Sequence, residues 1–383
     1  MDEREEAAVA ESDEAAESAI EESPASEPAE EVVVAEPVAP PAEVQRWLLA
    51  GPAGSGRSAF LGAMARACAL YPTDERVFDL RPENEAAETV FGEATRRFMG
   101  ELRDEAPERA ALTFSMGVGP AGTARRRGPV AVTVEQVAGW SFPPPLRVRR
   151  DRKRLPESEV LVLLVPPRDL SHAGGGESGR VRSVAAELDD GLAALATMRR
   201  AQAASRSWWP FGGSGSRAGR KVLPFRRVLV LVSMVDRVAT ELLSRGEAAR
   251  AAGFPRGASP TARELVEEMV PLSAARHYAG DGFLVALLGQ VDPACRVAVG
   301  LVSASGFRAS GEAMVDGRGR FTAGGSGLRF EQDATAQTTV LREWAPYGMR
   351  AALAFAATGE LLAGEPIEEI SMDQFDPRDA GGE

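Results

Sequence analysis

Disulfide frameworks, zinc clusters and histidine-based catalysis all lack raw material in this chain. Its 383 residues hold two cysteines, Cys68 and Cys295, and two histidines, His172 and His277. Two distant thiols cannot build a disulfide scaffold, and they suit a reducing compartment. So few ligands give poor support to a His/Cys zinc site or a Ser-His-Asp triad. Lysine is scarce too: Lys153 and Lys221 are the only two, and every other basic residue is Arg. No run approaches ~18 consecutive apolar residues, so no membrane-spanning helix is expected. The first residues carry neither a basic nor an apolar signal region. No secretory route is therefore expected, and a cytoplasmic location is.

What is present divides into a tail and a body. Residues 1–42 hold fourteen acids against Arg4, and no aromatic. They carry all of the chain's net charge of −12, so the remainder is close to neutral. A segment of Glu, Ala, Ser, Pro and Val cannot bury enough apolar area to offset its ordering entropy, and it is expected to be disordered. It reads either as an interaction arm or as a solubilising tail. The overall apolar share of 44% is that of an ordinary globular core.

From Val44 onward, short apolar runs alternate with helical patterns. Val44–Ala50, Val160–Val165, Val228–Val232 and Val297–Val302 read as strands, the inner ones as buried on both faces. Ala111–Val118 and Val130–Val137 read as a hairpin. Helices are expected at Ala59–Leu70, Glu83–Leu102, Val181–Ala204, from the Ser259-Pro260 start to Met269, and at Tyr347–Leu362. The alternation predicts an α/β fold: a doubly wound, mostly parallel sheet of the P-loop NTPase kind. The folded domain is placed at 43–365, with insertions near 141–158, 205–222 and 306–338, and 366–383 is set apart as a C-terminal tail.

One motif carries chemistry directly. Gly51-Pro52-Ala53-Gly54-Ser55-Gly56-Arg57-Ser58 matches GxxxxGK[ST], the Walker A pattern, with Arg57 in the Lys position. A strand precedes it and a helix follows, the context the motif requires. Gly51, Gly54 and Gly56 let backbone amides, with that of Ser55, wrap a phosphate at positive φ. The helix N-terminus adds its partial positive charge. Ser58 is the expected Mg²⁺ ligand, and Arg57 the side chain that reaches the outer phosphates. Arg is a broad planar fork where Lys is a compact point charge, yet a fork can hold phosphate bidentately. The alternative is a Gly-rich turn in an unrelated α/β fold, and the loop alone does not name the nucleotide.

Four further segments follow in order. Thr113 lies inside the second strand-like run. Gln136-Val137-Ala138-Gly139, Ser233-Met234-Val235-Asp236 and Ser303-Ala304-Ser305 each end an apolar strand. With the Gly51–Ser58 loop, these resemble the five segments of the TRAFAC-class, Ras-like GTPases, most of all the bacterial double-GTPase domains. The resemblance spans roughly 44–305, and Trp344-Ala345-Pro346-Tyr347-Gly348 is similar to a landmark of the same domains. It implies GTP or GDP with Mg²⁺ as ligands. It implies that Gly139 donates its N–H to the γ-phosphate and that Asp236 accepts from the guanine N1–H and amine. Ser303 and Ala304 would complete the base site, the Ala304 N–H meeting guanine O6. Thr113 stands where the family closes over Mg²⁺. The departures are specific. Gln136 replaces the metal-holding Asp, Trp140 the water-positioning Gln, Ser233 and Met234 an Asn and a Lys, and Ser305 a Lys. Hydrolysis is therefore expected to be weak or to depend on a partner.

Three places are candidate partner surfaces: the acidic tail, the basic stretch Arg147–Arg154, and Trp208-Trp209-Pro210-Phe211. The basic stretch suits an acidic partner or an anionic surface. It lacks the interleaved aromatics of a single-strand platform, so nucleic acid is not expected. Its charge also suits docking of the acidic tail in cis. The aromatic cluster reads either as a docking site or as a loop folded onto the domain. Three functions stay open: a GTP-binding switch or scaffold, a pseudo-GTPase interaction module, and a P-loop ATPase or kinase. The last lacks a clean Walker B carboxylate, Asp169 coming nearest, four residues beyond Val165.

Overall fold

The computed structural model describes residues 43–52, 54–69, 78–98, 112–118, 130–136, 158–167, 184–206, 223, 225–244, 260–315 and 344–375. Outside them lie the tail 1–42, Gly139 and Trp140, the basic stretch 147–154, Asp169 and the aromatic cluster 208–211.

The first part of the chain runs β1 (Glu43–Ala50), α1 (Arg57–Ala69), β2 (Phe78–Pro82), α2 (Glu85–Phe98), β3 (Leu112–Val118), β4 (Val130–Gln136), β5 (Val160–Val165), α3 (Val184–Arg206), β6 (Arg227–Val232). It continues α4 (Val235–Ser244), α5 (Ala262–Glu267), α6 (Pro271–Ala279), α7 (Asp281–Gln290), β7 (Arg296–Leu301), β8 (Ser303–Phe307), β9 (Ala345–Tyr347), α8 (Met349–Thr358), β10 (Ile367–Glu369) and a 3-10 turn at Met372–Phe375.

The main sheet has the order β10-β7-β6-β5-β1-β4-β3-β2, and β8 and β9 form a separate two-stranded sheet. Strands β4, β1, β5, β6 and β7 are mutually parallel. The edge pairings of β3 with β4, β2 with β3 and β10 with β7 are antiparallel. This is the doubly wound α/β sheet that the sequence predicts.

Alternation along the strands sorts the core into two layers. Trp47 and Leu49 of β1, with Val160, Val162 and Leu164 of β5, face α1 and α8. Leu48, Ala50, Leu161, Leu163 and Val165 face α3 to α7. A strand buried on both faces needs apolar residues at every position, and the run Val-Leu-Val-Leu-Leu-Val of β5 is buried throughout. Gln45 is the polar exception at 2% exposure. Its amide donates to the Ala357 carbonyl and accepts from the Trp47 indole, so burial leaves it paired.

Two expectations are corrected. The helix placed after Ser259-Pro260 is capped at Thr261, whose hydroxyl accepts from the Glu264 N–H while the Glu264 carboxylate accepts from the Thr261 N–H. That reciprocal pair needs an acid three residues after the cap, which Ser259 lacks. The stretch 366–383 is not wholly a tail. Ile367–Glu369 adds an antiparallel edge strand to β7, with Ile367 and Ile370 buried at 8% and 4% exposure. Gly300 makes room for it, since a Cβ there would lie 2.6 Å from Ile367 Cγ1.

Candidate functional site

The sheet order reverses at β1. The chain first winds outward and returns through β2, β3 and β4 to β1's one side, then crosses to β5 on the other and continues outward through β6 and β7. In open α/β sheets, the crevice beyond the strand carboxyl ends at such a point is where ligands bind. The Gly51–Ser58 turn leaves β1 there.

Its backbone has the shape the motif requires. Gly51, Gly54 and Gly56 have φ of 153°, 77° and 81°. At Gly51 a Cβ would sit 2.4 Å from the Leu164 carbonyl oxygen, so the residue must be glycine. The Ser55 N–H donates to the Pro52 carbonyl at 3.2 Å, and Phe60 to Gly56 at 2.8 Å, which starts α1. The first-turn amides of a helix have no intrahelical acceptor and project from its N-terminus. Ser55 is 1% exposed, and its hydroxyl has no hydrogen-bond partner among the described residues. Arg57 and Ser58 are half-buried. Burial pushes the Arg57 guanidinium below its ordinary pKa, since desolvation penalises the charge.

The second side of the crevice comes from the ends of β6 and β7. Ser233 N–H donates to the Val165 carbonyl at 2.9 Å, and Val235 N–H to the Val302 carbonyl at 3.4 Å. Met234, between them, has φ of 58°, the one left-handed non-glycine residue among those described. Its Cε lies only 3.0 Å from where a Cβ on Gly56 would stand, and its sulfur accepts from Arg237 Nη1 at 3.7 Å. Met234 therefore leans over the phosphate turn.

Asp236 is in the first turn of α4 and fully buried. Its two oxygens accept from Ser303 Oγ at 2.5 Å and Ser305 Oγ at 2.9 Å. Residues 303 and 305 are two apart on β8, so strand alternation turns both hydroxyls the same way. Ser303 Oγ also accepts from the Gly306 N–H at 2.7 Å. Desolvation holds the Asp236 carboxyl above its ordinary range, although the serine hydroxyls and Arg237 pull the other way. The Ala304 carbonyl accepts from the buried Trp344 indole at 2.8 Å, and the Trp344 carbonyl accepts from Arg66 of α1 at 3.0 Å. The 303–305 segment is thus a strand braced against α1, the helix that follows the Gly51–Ser58 turn.

Both sides meet at one cavity of about 140 Å³. It is lined by Ser55, Gly56 and Phe60 from the turn and α1, and by Met234, Arg237, Ala304 and Ser305 from across the crevice, among others. Asp236 and Ser303 are at 0% exposure, behind this wall rather than on it. Gln136 ends β4 level with Leu49, two residues short of Gly51. Thr113 pairs with Thr133, level with Arg46 and about 13 Å below the carboxyl edge at ~3.3 Å per residue, too far to reach a metal at the turn. Among the described residues, no group of three or more His, Cys, Asp or Glu side chains could hold a metal ion. Sequence reasoning missed the roles of Met234 and Ser305. The Ser-x-Ser spacing at strand period was the available signal for Ser305.

No family model matches the chain, and no curated protein does either. Among solved structures it is similar to the G domain of the T. maritima FeoB iron transporter, at 10% identity and TM-score 0.21, over 56% of this chain and 85% of that one. It is also similar to Sup35 complexed with GMPPNP, at 12% identity and TM-score 0.22, over 69% of this chain and 38% of that one. A further match is the S. cerevisiae Ski7 GTPase-like domain bound to GTP, at 11% identity and TM-score 0.23, over 58% and 41% of the two chains. The chain thus spans about two fifths of the latter two. These superpositions are loose, and the fold stands on the sheet order and the turn after β1. No helix among the described residues is long and apolar enough to cross a membrane.

Proposed function

We propose that this protein binds a guanine nucleotide at the carboxyl edge of its sheet and acts as a switch or scaffold with slow or partner-dependent hydrolysis. One observation carries the reading: the Gly51–Ser58 turn and the 233–237 and 303–305 segments line or back the same cavity. In this reading the Gly51, Gly54, Ser55 and Gly56 amides and the α1 N-terminus hold phosphate. The orphaned, buried Ser55 hydroxyl gains a partner from an anion, and the half-buried Arg57 guanidinium is the fork that reaches the outer phosphates. Gly139 meets the γ-phosphate, and Asp236 with Ser303 and Ala304 reads the base. Ser58 is the protein's ligand to Mg²⁺. Gln136 stands in the usual carboxylate position, so Ser58 would be the main side chain available to such a metal, which would supply charge neutralisation at the phosphates. Trp140 stands where the water-positioning Gln of the resemblance would be and cannot orient an attacking water, hence slow hydrolysis.

A second reading, an interaction module that binds no nucleotide, is favoured by the cavity itself. Its ~140 Å³ falls below the roughly 300–1,000 Å³ of small-molecule sites, and Met234 fills part of the mouth. Titrating fluorescent GTP and ATP analogues with Mg²⁺ against wild type, Arg57→Ala and Asp236→Ala separates the two. A GTP preference lost in Asp236→Ala, with overall affinity lost in Arg57→Ala, supports nucleotide binding. No binding of either analogue supports the interaction module. An ATP preference indifferent to Asp236→Ala points instead to an ATPase.

A further inference from the structure

The two serines on Asp236 are not equivalent. Ser303 is at 0% exposure, and its hydroxyl is held twice, donating to Asp236 Oδ1 at 2.5 Å and accepting from the Gly306 N–H at 2.7 Å. Gly306 is in turn fixed by β9, because a Cβ there would fall 1.7 Å from the Ala345 carbonyl oxygen. Ser303 cannot leave without breaking the β8 turn. Ser305 is half-buried, lines the cavity, and makes a single side-chain hydrogen bond among the described residues, to Asp236 Oδ2 at 2.9 Å. Among the described residues it is the one hydroxyl that both lines the cavity and bonds the carboxylate.

A guanine edge offers two adjacent donors, N1–H and the exocyclic amine, and needs at least one accessible carboxylate oxygen. Here the carboxylate has no exposed surface, and its cavity-side oxygen already has a donor. From this we infer that Ser305 is an internal latch that sets base selectivity: its hydroxyl stands in for the guanine donor, and a guanine nucleotide binds only by displacing it. The inference rests on the guanine reading above and specifies what controls it. An adenine nucleotide, lacking that donor pair, gains nothing from displacing Ser305 and is held by phosphate contacts alone. The wild-type protein therefore discriminates weakly, because guanine exchanges one hydrogen bond to the carboxylate for another. Removing the hydroxyl leaves the buried oxygen unpaired in the free protein and available in the complex. Both changes favour guanine.

The test uses the full chain with Mg²⁺, titrating fluorescent GTP and ATP analogues and inorganic tripolyphosphate, which has no base. The proteins are wild type, Ser305→Ala and Ser305→Thr, the last keeping a hydroxyl. The expected result is a rise of about tenfold in GTP affinity for Ser305→Ala, the factor equal to ~1.4 kcal/mol, with ATP and tripolyphosphate unchanged. Ser305→Thr stays near the wild-type GTP:ATP ratio. The free Ser305→Ala protein should also melt lower than wild type, with the difference narrowing in saturating GTP. GTP binding that first becomes measurable in Ser305→Ala supports the latch as well. An unchanged GTP:ATP ratio in a wild type that does bind GTP overturns the latch alone. So does a fall in GTP affinity, which would make the Ser305 hydroxyl a contact rather than a competitor. If no protein binds either nucleotide, the guanine reading fails and takes the latch with it. Tripolyphosphate binding then tells whether the phosphate turn survives without a base site.

Discussion

The phosphate turn can be probed by two alanines that look alike in sequence and differ in their surroundings. At Gly51 an added Cβ would lie 2.4 Å from the Leu164 carbonyl oxygen and 2.7 Å from Ser55 Oγ. At Gly54 it would meet nothing within 4 Å. Both positions have positive φ, 153° and 77°. The left-handed backbone alone costs an alanine about 1–2 kcal/mol. At Gly51 the neighbour is main chain of β5, which cannot rotate aside, and forcing such contacts adds about 1–3 kcal/mol. Gly54→Ala should therefore lose about 1–2 kcal/mol and Gly51→Ala about 2–5 kcal/mol. Urea unfolding followed by the fluorescence of buried Trp47 and Trp344 reads this directly, as a midpoint shift at constant slope. Gly51→Ala should also abolish tripolyphosphate binding, because the loop must move off β5 to relieve the contact. Equal losses at the two sites would mean that the approach of Gly51 to Leu164 is not tight, and the argument for a rigid phosphate cradle would go with it.

Truncation after Glu365 removes β10 and exposes what Ile367 and Ile370 cover. At about 1.5–3 kcal/mol per buried Ile, thermal or urea unfolding should show an upper loss of about 3–6 kcal/mol. Unchanged stability would return 366–383 to the status of a tail. The Asp236 carboxyl gives a pH prediction with two opposed signs. Its folded pKa is raised by burial above the ordinary 3.8, so its contribution to stability is complete below that value and is lost as pH rises through the raised one. Guanine reading needs the ionised form, so the GTP:ATP affinity ratio, read most clearly in Ser305→Ala, should fade as pH falls through the raised value, while the ratio in Asp236→Asn stays flat. A flat ratio in Ser305→Ala, whose carboxylate has lost that internal donor, would exclude Asp236 as the reader.

The central strands were readable because burial on both faces forces apolar residues at consecutive positions, as in Val160–Val165 and Val228–Val232. The edges follow no such rule. Strand β2, Phe-Asp-Leu-Arg-Pro, pairs on one side and ends in a proline that an edge position tolerates. Strand β10 is three residues, two of them Glu. The alternation in β2 lasts only five residues and β10 only three, too short to stand out. The Thr261 cap was legible and passed over: Ser259 and Thr261 both offer a hydroxyl, and only the acid at Glu264 decides between them. At the site, the turn glycines could be read one by one, because each answers to a backbone angle. The Ser305 bond to Asp236 was signalled only by the Ser-x-Ser spacing, which acquires meaning once 303–307 forms a second strand that turns residues 303 and 305 toward one carboxylate.

The two ends of the crevice also differ in what they are made of, and that bears on how such a site can change. On the proposed reading, phosphate is gripped mainly by main-chain amides and a helix terminus, so the grip depends on glycine φ values and on β1 ending where it does. Arg57 in place of lysine alters a side chain and leaves that frame standing. The base, on the same reading, is met by side chains, where one substitution redirects a hydrogen bond. With serine at 305, the carboxylate that would recognise a ligand is satisfied from within the chain. A buried acceptor pair that already has both its donors is stable without ligand, and binding then proceeds by exchange rather than by gain. Such a site can keep its hold on phosphate while its preference for a base is set by one hydroxyl, and affinity for tripolyphosphate should accordingly vary far less than the GTP:ATP ratio across substitutions at 234, 303 and 305.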